Sequence, residues 1–242
     1  MLSENQHKYT IGAIKLLKSI QKNNSPLNAD PFILELAHKP IKREHKRLLK
    51  QFGWRICRVT RIEPRSETKT FHRFRDQFTK LNLWLATEYD AHYYFDADTL
   101  AVNSLNALFH MHEQLNDIDK RIGCAQDFRD HKWVSTFNMG VFVIRPNVSE
   151  YDRLIALKND VTFKFDEHMS EQGFLNEVYK SKWLNIGFAN NANLAVYNRA
   201  ASYWLEHENE INIIHFTFCK PWRCDAAYRR VCDMWENFDH CS

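Results

Sequence analysis

Apolar residues fall at Ile11, Ile14, Leu17 and Ile20, about one turn apart, so residues 9–22 read as a helix with one inward face. A turn-rich stretch, residues 23–31, ends it. The pattern then changes period: residues 32–36 read as a strand, residues 41–52 as a helix and residues 54–59 as a second strand. Strand, helix and strand in that order imply parallel strands joined by crossover helices. Further along, Phe78, Leu81, Trp84 and Leu85 mark another helix face ahead of an aromatic strand ending at Asp96. Residues 137–144 read as a buried strand, residues 148–157 as a helix behind it and residues 170–179 as a further helix. The whole predicts an α/β fold, a doubly wound, mostly parallel sheet flanked by helices.

Composition bounds the organisation. With 242 residues, 44% of them hydrophobic, the chain is long enough to bury one core, and residues 1–242 read as a single domain. Six Gly and six Pro leave no low-complexity linker. A net charge of +3, without an aromatic-interleaved basic stripe, argues against nucleic acid. The densest basic stretch, residues 39–50, has Ile41, His45, Leu48 and Leu49 near helical spacing and reads as a helix with its charged side in water. No apolar run approaches the ~20 residues of a membrane span, and no signal-peptide core opens the chain. The expectation is a soluble, cytoplasmic protein, with a Golgi or secretory location only if a segment precedes Met1. Cys57 and Cys124 sit in apolar surroundings and read as buried thiols, whereas Cys219, Cys224, Cys232 and Cys241 cluster near the end. Their spacings contain no C-x2-C knuckle, which argues against structural zinc and leaves a disulfide open.

Candidate chemistry concentrates in two places. The run His92-Tyr93-Tyr94-Phe95 stops at Asp96-Ala97-Asp98, two carboxylates one residue apart where a buried strand ends. The same spacing occurs in Asp117-Ile118-Asp119, but within a polar stretch with no strand before it, which reads as a solvated loop. His215 follows the apolar run 211–214 and precedes Lys220 by five residues, so an imidazole and a cation leave one strand end together. Two oxygens and a nitrogen suit manganese better than calcium.

These residues and their neighbours resemble the family 8 glycosyltransferases, the glycogenin-like group with a GT-A fold. Phe95-Asp96-Ala97-Asp98-Thr99-Leu100 resembles the family's D-x-D strand end, and residues 78–84 resemble the helix before it. Phe137-Asn138-Met139-Gly140-Val141 is similar to F-N-[SA]-G-V, Glu171-Gln172-Gly173-Phe174-Leu175-Asn176 to D-Q-G-x-L-N, and residues 215–222 to H-F-x-x-x-K-P-W. The motifs occur in family order over residues 70–222. The resemblance implies a metal-dependent, retaining transferase that moves a sugar from a UDP-sugar to an unidentified carbohydrate or protein acceptor, with Mn2+ or Mg2+. It implies Asp96, Asp98 and His215 as metal ligands. Lys80, Asp96, Ala97, Asp98, Asn138 and Lys220 are implied at the donor, and Gln172, Glu171 and Lys220 at the reacting centre.

Several positions depart from the family pattern. Met139 replaces Ser or Ala, Glu171 replaces Asp, His168 stands near an upstream Asp, and a Gly between His215 and Lys220 is absent. The family's opening strand, whose end cradles uracil and ribose, is expected just ahead of Met1, with residues 3–12 resembling the loop and helix that follow it. Two other readings compete. A haloacid-dehalogenase-type phosphatase would want D-x-D-x-T, but Thr99 comes one place early. A nucleotide-sugar-binding relic without turnover keeps the same ligands. Tyr197 lies roughly where glycogenin carries its self-modified tyrosine; a packing role is the expectation there.

Overall fold

The computed structural model describes residues 6–116 and 119–240; the leading residues 1–5, Asp117 of the control pair and Cys241 lie outside the described residues. Helix α1 (Gln6–Asn23) is followed by β1 (Phe32–Leu36), α2 (Arg43–Gln51) and β2 (Arg55–Val59). The two strands pair in parallel, Phe32 opposite Arg55 through Leu36 opposite Val59, as the strand–helix–strand pattern requires. Ile14 of α1 and Leu49 of α2 meet in the small core beside them. His45 and Leu49 are the buried residues of α2, so its basic side does face solvent.

The segment Gln77–Leu85 is a 3-10 helix rather than an α-helix. Phe78, Leu81 and Trp84 are spaced by three, and three residues per turn put all three on one face, each at most 1% exposed. Leu85 falls off that face and is 41% exposed.

The remaining elements are β3 (His92–Phe95), β4 (Thr99–Ala101), α3 (Asn106–Phe109), β5 (Ile122–Arg129), β6 (Lys132–Ile144), α4 (Val148–Asn159), α5 (Ser170–Val178) and β7 (Trp183–Asn185). They continue with β8 (Ala192–Asn193), α6 (Leu194–Arg199), α7 (Ala201–Glu206), β9 (Ile213–His215) and α8 (Arg229–Glu236). The α/β expectation holds, but the strand pairing is more mixed than a mostly parallel sheet. One sheet has the order β3-β6-β5-β7 and another β4-β9-β8. Pairs β5/β7 and β8/β9 are parallel, whereas β3/β6, β5/β6 and β4/β9 are antiparallel. The reason is local. Asp130 and His131 both take positive φ, 48° and 62°, the backbone of a two-residue hairpin turn that joins β5 directly to β6.

A break in that hairpin shapes the centre of the molecule. Cys124 faces Phe142 but the next residue, Ala125, faces Asn138, so Met139, Gly140 and Val141 bulge out of the β5 ladder. Beyond the bulge β6 stays paired with β3, Val141 opposite Phe95. One face of the sheet packs Phe137, Met139 and Phe142 against Phe78, Trp84 and Phe174. The other packs Val141 and Val143 against Leu16 and Ile20 of α1.

Candidate active site

β3 ends at Phe95, and the turn Asp96-Ala97-Asp98 carries the chain from one sheet into β4 of the other. Asp96 N–H donates to the Gly140 carbonyl at 2.8 Å, and the Thr99 hydroxyl closes the turn on the Asp96 carbonyl at 2.8 Å. Helix α1 packs directly on this turn. A Cβ at Gly12 would lie 2.4 Å from the Ala97 carbonyl oxygen and 2.9 Å from the Trp222 ring, so only glycine permits that approach. His215 arrives from β9, whose pairing sets Thr99 opposite it.

The donor atoms of Asp96, Asp98 and His215 lie within 4.8 Å of one another. His215 Nε2 is 3.7 Å from Asp96 Oδ2 and 3.8 Å from Asp98 Oδ1. Its other nitrogen is committed. Gly140 N–H donates to Asn138 Oδ1 at 2.9 Å, which identifies that atom as the amide oxygen. Asn191 Nδ2 donates to the same oxygen at 3.0 Å and so turns its own Oδ1 toward His215 Nδ1, 2.9 Å away. His215 must carry its proton on Nδ1, leaving the Nε2 lone pair aimed between the carboxylates. Burial pushes the imidazole below its ordinary range despite the attraction of Asp98 and Asp96, so the ring is neutral near pH 7. A neutral imidazole and two carboxylates this close together fit a divalent cation.

Gly140 makes this arrangement possible. A Cβ there would come within 1.9 Å of His215 Cε1, so the ring sits directly on the glycine of the bulge. We expect Asn191→Ala to weaken any divalent-cation binding here about 10- to 100-fold without loss of fold, because the ring loses the acceptor that sets its tautomer. Calorimetric titration measures this, and an unchanged affinity would show that packing alone holds the ring. By the sign of the His215 shift, affinity should hold from pH 7.5 to about 6.5, the ordinary His value, and fall only below it.

Lys220 donates to Asp98 Oδ2, and to the Phe216 carbonyl at 2.8 Å. Burial opposes its charge, but Asp98 outweighs that and holds the ammonium above its ordinary range. Trp222 packs behind the turn against Tyr9, ring centroids 4.8 Å apart.

Lys80 is buried rather than on the surface, 5% exposed. Its Nζ lies 3.0 Å from Glu171 Oε1 and 3.5 Å from Asp96 Oδ1, and donates to the Met139 carbonyl at 3.2 Å. Its ammonium is therefore held by partners within the chain. Tyr94 adds a hydroxyl bond to Asp96 Oδ1 at 2.8 Å. Burial pushes Asp96 up, but Lys80, His215 and the Tyr94 bond outweigh it and hold the carboxyl below its usual range. Glu171 goes the other way, because burial raises it more than Lys80 lowers it.

Gln172 accepts from Met139 N–H at 3.1 Å and points Nε2 to Asp127 Oδ2 at 3.4 Å. Asn176, one turn later on α5, bonds both the N–H and the carbonyl of Phe137, at 2.7 and 2.9 Å, and clamps the helix to β6. The motif strings thus converge on one region, while Ala97 contributes backbone to the turn rather than a polar side chain. Sequence reasoning passed over Asn191, Asp127 and Thr217. Asp127 is a carboxylate 6% exposed inside β5, a strand whose Gly, Gln and Asp content hid its pattern. Thr217 buries a hydroxyl without a partner among the described residues, two positions after His215. Tyr197 packs edge-on to Trp204 at 5.2 Å, which accounts for it structurally.

A carboxylate pair and an imidazole thus meet at the junction of two sheets on this α/β frame, which is the GT-A fold. The chain belongs to glycosyl transferase family 8, whose family model matches residues 2–226. It is 23% identical over 237 residues to UDP-glucuronate:xylan alpha-glucuronosyltransferase 2 of Arabidopsis thaliana, covering 91% of this chain and 34% of that protein. It is 29% identical over 146 residues to glycogenin of Neurospora crassa, covering 60% and 19%. The chain therefore spans about a third and a fifth of the lengths of these two relatives. Among solved structures, the glycosyltransferase GlyE of Streptococcus pneumoniae shares the fold with a TM-score of 0.66 at 19% identity, covering 97% of this chain and 59% of that one. The galactosyltransferase LgtC, solved with donor and acceptor sugar analogs, does so with a TM-score of 0.63 at 17% identity, covering 97% and 93%. Among the described residues, no helix is long and apolar enough to cross a membrane.

Proposed function

We propose that residues 1–242 act as one GT-A domain that transfers a sugar from a UDP-sugar to a carbohydrate or protein acceptor, with retention at the anomeric carbon and with a divalent cation, manganese or magnesium. The observation that carries this reading is the convergence of Asp96, Asp98 and the Nε2 of a tautomer-fixed His215 on one point beside Lys220. A bound cation supplies Lewis-acid neutralisation of the charge that develops on the departing diphosphate. Asp96, Asp98 and His215 would hold it. Lys220 offers its ammonium to the same phosphates, and the unpartnered Thr217 hydroxyl lies close in sequence to both. Asn138, through its amide, links the Gly140 bulge to Asn191 and leaves its NH2 for a sugar or acceptor hydroxyl. Lys80 acts at the donor side indirectly, by positioning Asp96 and Glu171.

On the sugar side, Gln172 is held at both ends of its amide, by Met139 and by Asp127, and is the residue we assign to the reacting face. Its carboxamide is a poor nucleophile, and the adjacent Glu171 is tied to Lys80. That combination favours same-face transfer through an ion pair, with Gln172 steadying the sugar cation, over a covalent intermediate. UDP-glucuronate, the donor of the xylan glucuronosyltransferase relative by its name, is one donor to include.

The experiment is a screen of UDP-sugars with manganese that records UDP release with and without EDTA. Release that EDTA abolishes supports the reading. UDP binding without turnover on any donor, across a broad acceptor panel, would make the chain a binding relic. Lys220→Ala should lower the rate on the order of 10²-fold or more; a change in thermal stability alone would assign Lys220 to packing.

A further inference from the structure

On either side of Lys220 in the chain, the structure gathers sulfur. Cys224 and Cys232 form a disulfide, and the free thiol of Cys219 joins them, all three Sγ atoms within 4.8 Å of one another. Cys219 and Cys232 are buried and Cys224 is half-buried. A structural crosslink needs two sulfurs and has no use for a third at this distance. The third is held by backbone on two sides: Asp225 N–H donates to Cys219 Sγ at 3.1 Å, and the thiol donates to the Arg223 carbonyl at 3.3 Å, through a proton that a bound metal would displace. A backbone donor aimed at sulfur stabilises thiolate, as donors around metal-bound cysteines do.

We propose that Cys219, Cys224 and Cys232, once reduced, form a thiolate site for zinc that clips the Lys220-Pro221-Trp222 turn to α8. The disulfide in the structure is the oxidised alternative of the same three sulfurs. A dithiol reductant supplies two electrons and two protons to the Cys224–Cys232 bond and itself becomes a disulfide. Zinc then displaces the protons of three thiols and takes three sulfur ligands, leaving a fourth tetrahedral position open. The spacing, four residues between the first two cysteines and seven between the second and third, fits no knuckle pattern. The tertiary fold assembles the set instead, because Cys219 and Cys224 come from the turn and Cys232 from α8. Cys219 adjoins Lys220, so occupancy of this site would steady the ammonium that Asp98 holds.

Cobalt is the probe, since its thiolate charge-transfer absorption is absent when only oxygen and nitrogen bind it. The full chain is reduced, stripped of reductant without oxygen, assayed for free thiols and titrated with cobalt. One cobalt per chain with the thiolate band, displaced by zinc, is the expected result. Cys219→Ser and Cys232→Ser should each lose the band, while Cys57→Ser should keep it: that thiol, on β2, is exposed rather than buried as its sequence surroundings suggest. In the unsubstituted chain, zinc should slow alkylation of Cys219 at least 10-fold, a readout that survives if a variant fails to fold. A fully reduced, folded chain that shows no thiolate band, or one whose Cys219 alkylates at the same rate with and without zinc, would overturn the proposal. Loss of the band would leave UDP release untouched as a test of the sugar site, since that reaction is read separately with manganese.

Discussion

Asp98→Asn is expected to abolish turnover, with a loss of roughly 10²- to 10³-fold or more, while the chain stays folded. In the proposed mechanism this carboxylate would hold the cation that supplies several kcal/mol of leaving-group stabilisation. Asp98 is 5% exposed, yet its carboxylate contacts His215 and Lys220 rather than the apolar core, so an isosteric amide keeps the shape. The amide cannot match a carboxylate as a ligand, and it no longer offsets the Lys220 charge. Manganese titration, UDP release and circular dichroism on one preparation give the three readouts. Undiminished, metal-independent release in this variant would remove the D-x-D turn from the mechanism.

Lys80→Met is expected to cost about 3–5 kcal/mol of folding stability at neutral pH, because it leaves the buried Glu171, and the half-buried Asp96 beside it, without their shared counter-charge. Methionine fills most of the volume, so the loss reports charge more than packing. The pH dependence separates the two. Glu171 is already raised by burial, and removing Lys80 raises it further. A carboxyl whose folded pKa exceeds its unfolded value destabilises the fold above that folded pKa, and the penalty fades as pH falls toward the unfolded Glu value of about 4.3. The gap in urea midpoint between variant and parent should therefore shrink from pH 7.5 to pH 5. Glu171→Gln placed on Lys80→Met should recover much of the loss at pH 7.5. A gap equal at both pH values would show that methionine simply packs badly.

Both predictions draw on residues visible in the sequence, but they became arguable in different ways. Asp96 and Asp98 were legible because an apolar aromatic run ends abruptly at two carboxylates, and Phe95 does pair within a buried sheet. Lys80 was legible as a motif position only. That its ammonium lies inside the protein between two acids is a fact of packing, since a lysine on a helix face carries no local mark of burial. Periodicity found β1, α2 and β2 to within a few residues, because each is a run whose own pattern repeats. It missed β5, where Gly123, Gln126 and Asp127 interrupt the alternation, and so it missed the hairpin that makes the sheet mixed.

Local chemistry along the chain was enough to set the α/β class, the family and the strand end that carries the carboxylates, because hydrophobic period and motif order are properties of neighbouring residues. The tertiary structure alone decided the bulge at Gly140, the Asn138–Asn191–His215 relay and the meeting of three sulfurs beside Lys220. Each of these joins residues far apart in the chain or breaks a repeating pattern, and hydrogen-bond direction, ring clearance and sulfur distance exist only once the backbone has been folded.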